Sequence, residues 1–189
     1  MALMRNLKLA IVDVETTGHS ARHGRIIEIG ILRVERGRVV KKFSSLIDPE
    51  EPISPFITEL TGITDTHVER APTFISIKEK IEELLNDCIF VAHNAPFDYS
   101  FIQNEFRRIG DRYQAQSLCT VRLSRALYPE HRHHNLDSVI ERCGIACKNR
   151  HRALDDAQVV WEFIKHAQKN NSPAVLRKAL KKVLRLHRP

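Results

Sequence analysis

The 189 residues suit one domain of ordinary size, long enough to bury a core without disulfide or metal staples. Apolar residues make up 42% and charged residues 28%, and no apolar run approaches the ~20 residues needed for a bilayer-spanning helix. Lys and Arg number 30 against 23 Asp and Glu, a net charge of +7 that is unevenly spread. After Glu162 there are no acids and eight bases, namely Lys165, Lys169, Arg177, Lys178, Lys181, Lys182, Arg185 and Arg188. The remaining 22 bases face all 23 acids, so the first 162 residues carry −1 and the basic character belongs to the tail. Such a tail attracts phosphate backbones, but charge alone names no partner. The N-terminal segment lacks the features of a secretory leader, and its apolar stretch runs straight into acids, so it reads as a strand of a cytoplasmic protein. Cys88, Cys119, Cys143 and Cys147 show no pairing framework and are expected to stay reduced. Cys143, Cys147 and His151 lack the C-x2-C spacing of common zinc sites.

In chain order, residues 7–14 form a β-rich run ending in acids, followed by a polar loop to Gly24. Residues 26–34 and 39–47 are two more strands around a tight turn at Gly37, which predicts an antiparallel meander. Ser54-Pro55 reads as a helix cap with Pro at the first position, and Gly62 as its stop. Apolar residues at 74, 77, 81, 84 and 85 have helical spacing. Residues 88–92 are a short strand, with Asn94 as the cap of a helix to about 109. A strand at 117–119 and helices over 120–127, 136–143 and 153–167 follow, with Asn135 capping the second of these. His131, His133 and His134 before it read as a solvated loop. From Ser172-Pro173 a last helix carries Leu176, Ala179, Leu180, Val183 and Leu184 on one stripe and bases on the other. Packing on the body and docking to nucleic acid or another partner both fit that helix. The element order is α/β with a mixed sheet.

Asp13 and Glu15 lie at i and i+2 on an apolar strand, so both carboxylates project from one face. Two such acids either repel until a counter-charge arrives or mark a strand end emerging into solvent. Asp98, within His93-Asn94-Ala95-Pro96-Phe97-Asp98, falls in a first helical turn, where the helix dipole alone favours a carboxylate. Asp156 lies about one turn into a helix that His151 precedes, with Asp155 as a flanking acid.

In this order, Asp-x-Glu on a first strand, Asn-x-x-Phe-Asp at a strand–helix junction and His-x4-Asp on a late helix resemble the DEDDh exonuclease family, also called DnaQ-like or RNase-T-like. The resemblance covers residues 7–168 and extends to the proofreading subunit of bacterial replicative DNA polymerase. It implies a ribonuclease-H-like exonuclease fold with a mixed five-stranded sheet, its first three strands antiparallel, flanked by helices. Residues 1–170 would be the exonuclease domain and 171–189 a basic amphipathic C-terminal helix. Asp13, Glu15, Asp98 and Asp156 would hold two Mg²⁺ or Mn²⁺ ions about 4 Å apart, for which hard carboxylate oxygens are suited. His151 would be the general base. Thr16, Thr17 and Gly18 would lie beside the terminal nucleotide, Ile63 would pack on its base, and His93, Asn94 and Phe97 would complete the pocket. The implied activity is 3′–5′ release of nucleoside 5′-monophosphates from single-stranded or frayed 3′ ends, with DNA in proofreading or repair ahead of RNA 3′-end trimming. A DNA polymerase or a repair-nuclease module is the implied partner. Two other readings keep the same residues: a non-cleaving nucleic-acid or polymerase-binding module, and a metal-dependent hydrolase of small phosphoesters.

Overall fold

Alternation along the first strand decides what lies on each side of the sheet. In β1 (Leu9–Thr16), Leu9 and Ile11 enter one apolar cluster, while Ala10, Val12 and Val14 enter another. Period-two geometry carries Asp13 and Glu15 onto the side of Leu9 and Ile11. The computed structural model describes residues 7–186. Residues 1–6, part of the segment weighed as a leader, and 187–189, with Arg188 of the basic tail, lie outside the described residues.

β1 is followed by β2 (Ile26–Glu35) and β3 (Arg38–Leu46), joined through Arg36 and Gly37, both at positive φ. Then come α1 (Pro55–Thr61), α2 (Asp65–Val68), α3 (Phe74–Leu85), β4 (Ile89–Ala92), α4 (Ala95–Arg108) and β5 (Gln116–Cys119). The chain continues with α5 (Thr120–Leu127), α6 (Leu136–Cys143), α7 (Ala153–Asn170), α8 (Pro173–Val183) and β6 (Leu184–Leu186). Ser54 and Asn135 cap α1 and α6 by accepting from Ile57 N and Ser138 N, and Gly62 ends α1 in the left-handed region.

The sheet order is β3-β2-β1-β4-β5-β6. The β1–β2–β3 meander is antiparallel, β4 and β5 run parallel with β1, and β6 closes antiparallel on β5. The expected five strands are therefore six. The helix anticipated to the end of the tail stops at Val183, and Leu184-Arg185-Leu186 continues as a strand. The reason is local: Leu-Arg-Leu satisfies a period of two as well as it extends the helical stripe, and β5 offered an unpaired edge.

Helices α3 and α4 cover one face through Phe74, Ile81, Leu84, Phe101 and Phe106. The other face is covered by α5 to α8, with Leu123, Val139, Phe163 and Leu176 buried. Burying each such large apolar side chain stabilises by roughly 1.5–3 kcal/mol. A third, smaller cluster joins Ile27 of β2 to Ile53, Ile57, Ile63 and Val68. No helix among the described residues is long and apolar enough to cross a membrane.

The start of α7 lies directly on β2 at Gly30. A Cβ there would stand 2.4 Å from the carbonyl carbon of Ala153 and 2.4 Å from Leu154 N. Gly30 pairs with Asp13 across the strands, so this one missing side chain sets how near α7 comes to the β1 acids. Gly30→Ala is expected to destabilise by about 3 kcal/mol, the upper part of the usual overpacking range, read as a lowered denaturation midpoint. An unchanged midpoint would mean that α7 does not depend on this approach.

Candidate active site

Three segments bring the acids together. β1 supplies Asp13 and Glu15, both half-buried, just before a register shift at Thr16. The first turn of α4 supplies Asp98, which is 3% exposed; its Oδ1 accepts from Val14 N at 3.3 Å, tying α4 to the strand between the two β1 acids. The first turn of α7 supplies Asp156, 4% exposed, whose Oδ2 accepts from His151 N at 3.2 Å. One donor atom each of Glu15, His151 and Asp156 lies within 4.8 Å of the others.

Burial raises every one of these carboxyls, and repulsion among the acids adds to it at Asp13, Glu15 and Asp98. Asp13 is pushed well above its usual range by burial, then by Asp98, Asp156 and Glu15. Asp98 is pushed up by burial against the pull of its backbone hydrogen bonds. Glu15 is raised to about 7 by burial, then by Asp156 and Glu28. Asp156 is raised by burial, with Arg150 and His151 opposing. The resident counter-charge is Arg150, which ion-pairs with Asp156 and, through Nε, with Asp137 Oδ1 at 2.6 Å. Even so, Asp156 Oδ1 is buried with no hydrogen-bond partner among the described residues. An oxygen-rich donor set that repels itself and leaves one buried lone-pair site unmet fits a hard divalent cation.

A second group of residues, not singled out in the sequence, holds α7 in place. Glu28 lies opposite Glu15 in the β1–β2 pairing and is 2% exposed. Its carboxylate accepts from Ala153 N at 3.0 Å and from Arg152 Nη2 at 2.9 Å and Nε at 3.1 Å. The helix start is thus clamped through backbone and side chain together. Glu28 and Gly30 are the non-apolar residues in Ile-Ile-Glu-Ile-Gly-Ile-Leu, a strand buried on both faces, and that mismatch was the available signal. Arg150 and Arg152 flank His151, but nothing in their spacing told which acids they would meet. His151 itself sits at φ 59°, in the left-handed region that costs a side-chain-bearing residue roughly 1–2 kcal/mol.

The residues expected around a terminal nucleotide lie at four places in the fold. Thr16, Thr17 and Gly18 follow the β1 acids directly. The Thr16 hydroxyl donates to Gly18 O at 2.7 Å, and the Thr17 hydroxyl donates to Glu51 at 2.6 Å while accepting from Arg25 N. Asn94 and Phe97 open α4 just before Asp98. Asn94 does not cap with its side chain as expected; at φ 80° it takes the left-handed conformation that Asn tolerates, and its carbonyl accepts from Phe97 N. Phe97 is half-buried with its ring 4.9 Å from that of Phe101. Ile63 is 3% exposed inside the third apolar cluster.

His93 belongs to a polar network. Its Nε2 meets His134 O at 2.9 Å and its Nδ1 meets the Thr120 hydroxyl at 3.0 Å. Burial lowers it to about 4, so the ring is neutral at pH 7, with Nε2–H donating to the carbonyl and Nδ1 accepting from the hydroxyl. His134 is the correction to the solvated-loop reading. It is 8% exposed, with Nδ1 on the Ser124 hydroxyl at 2.8 Å and Nε2 on His131 O at 3.0 Å, while His131 and His133 remain exposed.

The chain is similar to known exonucleases in sequence and in fold. The family model RNase_T, described as exonuclease, matches residues 10–163. The PolC-type DNA polymerase III of Clostridium perfringens is 38% identical over 159 residues, covering 84% of this chain and 11% of that protein. The chain thus spans about a ninth of the length of that relative. Exonuclease X in complex with 5′ overhanging duplex DNA superposes with TM-score 0.66 at 26% identity, covering 91% of this chain and 99% of that one. The nuclease domain of 3′hExo, described as a DEDDh family member bound to rAMP, shares the fold with TM-score 0.73 at 20% identity over 96% of each chain.

Two measurements check the electrostatics and the clamp. In chelator, the folded protein holds the Glu15 proton to about pH 7 against an ordinary 4.5. Stability is therefore expected to be greatest below the ordinary value and to fall as pH rises through 7. Thermal melts between pH 5 and 8 should drop by several degrees, and added divalent cation should shrink the drop. Glu28→Ala strips partners from Ala153 N and Arg152 and is expected to cost about 1–3 kcal/mol in urea denaturation, with Glu28→Gln recovering part of it. Equal midpoints for the two variants would remove the clamp.

Proposed function

This chain belongs to the exonuclease family of the RNase_T type, and we propose that it hydrolyses nucleic acid from the 3′ end, releasing nucleoside 5′-monophosphates. The observation that carries this is the grouping of Glu15, His151 and Asp156 within 4.8 Å of one another, with Asp13 and Asp98 near enough to share in the repulsion among the acids and Asp156 Oδ1 left unmet. The proposed ligands of two Mg²⁺ or Mn²⁺ ions are these four carboxylates, since hard oxygen donors favour such ions over zinc. Bound there, the ions supply Lewis-acid stabilisation of charge on the scissile phosphate.

The chain's own residues do the rest. His151, tethered to Asp156 through its backbone N–H, accepts the proton of the attacking water, a task suited to imidazole near neutral pH. The strand holds Asp13 and Glu15 at fixed spacing, and Gly30 with Glu28 fixes α7 above them. Thr16, Thr17, Gly18, Asn94 and Phe97 adjoin these acids in the chain and are the proposed contacts to the terminal nucleotide. Ile63, from the third cluster, and His93, from its network, are proposed to shape the pocket from behind. DNA is the favoured substrate, because the relatives at 38% and 26% identity are a DNA polymerase and an exonuclease held on DNA. Single-stranded or frayed ends, in association with a polymerase or a repair nuclease, are the proposed setting. A cytoplasmic location suits four free cysteines. Residues 1–170 are the proposed catalytic unit, with 171–189 as a basic appendage.

A 5′-labelled single-stranded oligonucleotide should give a descending ladder with Mg²⁺ or Mn²⁺ and none in chelator. Asp13→Ala is expected to lower the rate by more than about 100-fold, beyond the loss typical of outer-shell partners, while raising stability in chelator by removing one of the repelling charges. Strand binding with no ladder under either metal would instead favour the non-cleaving module. Faster loss of RNA than DNA would reassign the substrate.

A further inference from the structure

One cation already stands among the acids, and the proposed chemistry does not use it. Arg150 ion-pairs through Nη1 with Asp156, a proposed metal ligand, while its Nε donates to Asp137 Oδ1 at 2.6 Å. Asp156 belongs to the first turn of α7 and Asp137 to the first turn of α6, so a single guanidinium bridges acids of two helices. Its charge reaches beyond these contacts. Arg150 opposes the upward push on Asp13, Glu15 and Asp156, three of the four proposed ligands. Arg152, which also acts on Glu15, is committed to Glu28.

The two partners of Arg150 differ in kind. Asp156 is buried within the acid cluster, whereas Asp137 has 67% of its side chain exposed and is not among the proposed ligands. The hydrogen bond from Arg150 holds the Asp137 carboxyl below its usual range, so it stays ionised. A guanidinium does not give up its proton in a folded protein, so Arg150 can leave Asp156 only by moving. It sits in the turn at residues 150–151, between α6 and α7. With Nε as pivot on Asp137, rotation of the side chain withdraws Nη1 from Asp156. Positive charge arriving among the acids favours that withdrawal, because like charges repel strongly where water is partly excluded.

We propose that Arg150 is a tethered cation that competes with divalent metal for Asp156, and that Asp137 keeps its guanidinium once it is displaced. This rests on the four carboxylates holding metal, as proposed above. In the metal-free chain Arg150 supplies part of the charge that keeps the acids together. In the loaded chain Asp137 holds it aside, and the Arg150–Asp137 pair sets metal affinity along with the ligands themselves. A fixed strut that merely oriented Asp156 would act with the opposite sign, since its removal would weaken metal binding.

The test measures Mn²⁺ affinity of the full chain from the electron paramagnetic resonance of the free ion, at about 0.15 M salt to screen exposed charges. Arg150→Gln should bind Mn²⁺ about tenfold more tightly, the scale on which groups outside the ligand set act on a bound ion. Asp137→Asn should bind it several-fold more weakly, because Arg150 is then left with Asp156 alone. In the Arg150→Gln background, Asp137→Asn should change affinity by less than about twofold, since Asp137 acts through Arg150. A second measurement needs no variant to fold. When the unsubstituted chain is titrated with Mg²⁺, the Arg150 Nη resonances in nitrogen-15 spectra should shift while the Nε–H signal persists. Unchanged or weaker Mn²⁺ binding by Arg150→Gln, an equal loss from Asp137→Asn in both backgrounds, or unmoved Nη resonances at saturating Mg²⁺ would each overturn the competition and leave the metal site standing. No Mn²⁺ binding by the unsubstituted chain would overturn the metal site itself, and the competition with it.

Discussion

The contact on which the site depends is the backbone-to-backbone approach of α7 to β2 at Gly30. A helix normally stands off a sheet by the depth of its side chains. Here the strand residue has none, and the opening peptide groups of α7 fill the space. Glu28, two residues earlier on the same face, converts that proximity into a fixed orientation by taking hydrogen bonds from Ala153 N and Arg152. Asp156, one turn along, is then carried to the β1 acids without any motion of its own. Shifted outward by even one side-chain layer, the carboxylate would face solvent.

Such placement concentrates negative charge in a partly buried volume, and two devices offset it. Hydrogen bonds from Val14 N and His151 N address single carboxylate oxygens. Arg150 adds a full positive charge held between Asp156 and Asp137. Neither neutralises the set, as the raised carboxyls of Asp13, Asp98 and Glu15 attest. The fold therefore holds the acids in an arrangement that the isolated protein disfavours and a bound cation favours. That is the sense in which the scaffold is organised for a ligand.

Much of this was legible in the sequence because it rests on local periodicity. The i, i+2 acids of β1, the helical spacing from Phe74 to Leu85, and the caps at Ser54 and Asn135 appear where pattern and capping chemistry place them. What escaped depends on contacts and backbone turns that periodicity does not encode. Glu28 is 125 residues from Ala153, and nothing near it announces a helix start. His134 looked solvated among exposed neighbours, yet Ser124 and His131 enclose its ring. Asn94 holds the N-cap position, but the left-handed turn removes its side chain from the role. The sixth strand was hidden because three residues of Leu-Arg-Leu satisfy both periods, and only an open edge on β5 chose between them.

The left-handed backbone at His151 sets the ease of folding against the proposed catalytic role at a single position. Glycine there would relax the chain, since it enters this region without steric penalty, and would discard the imidazole proposed as general base beside Asp156. Under that proposal, selection for robustness alone would drift toward a more stable protein without its general base. A histidine kept in that conformation is accounted for by the proposed general-base role and not by what it stabilises.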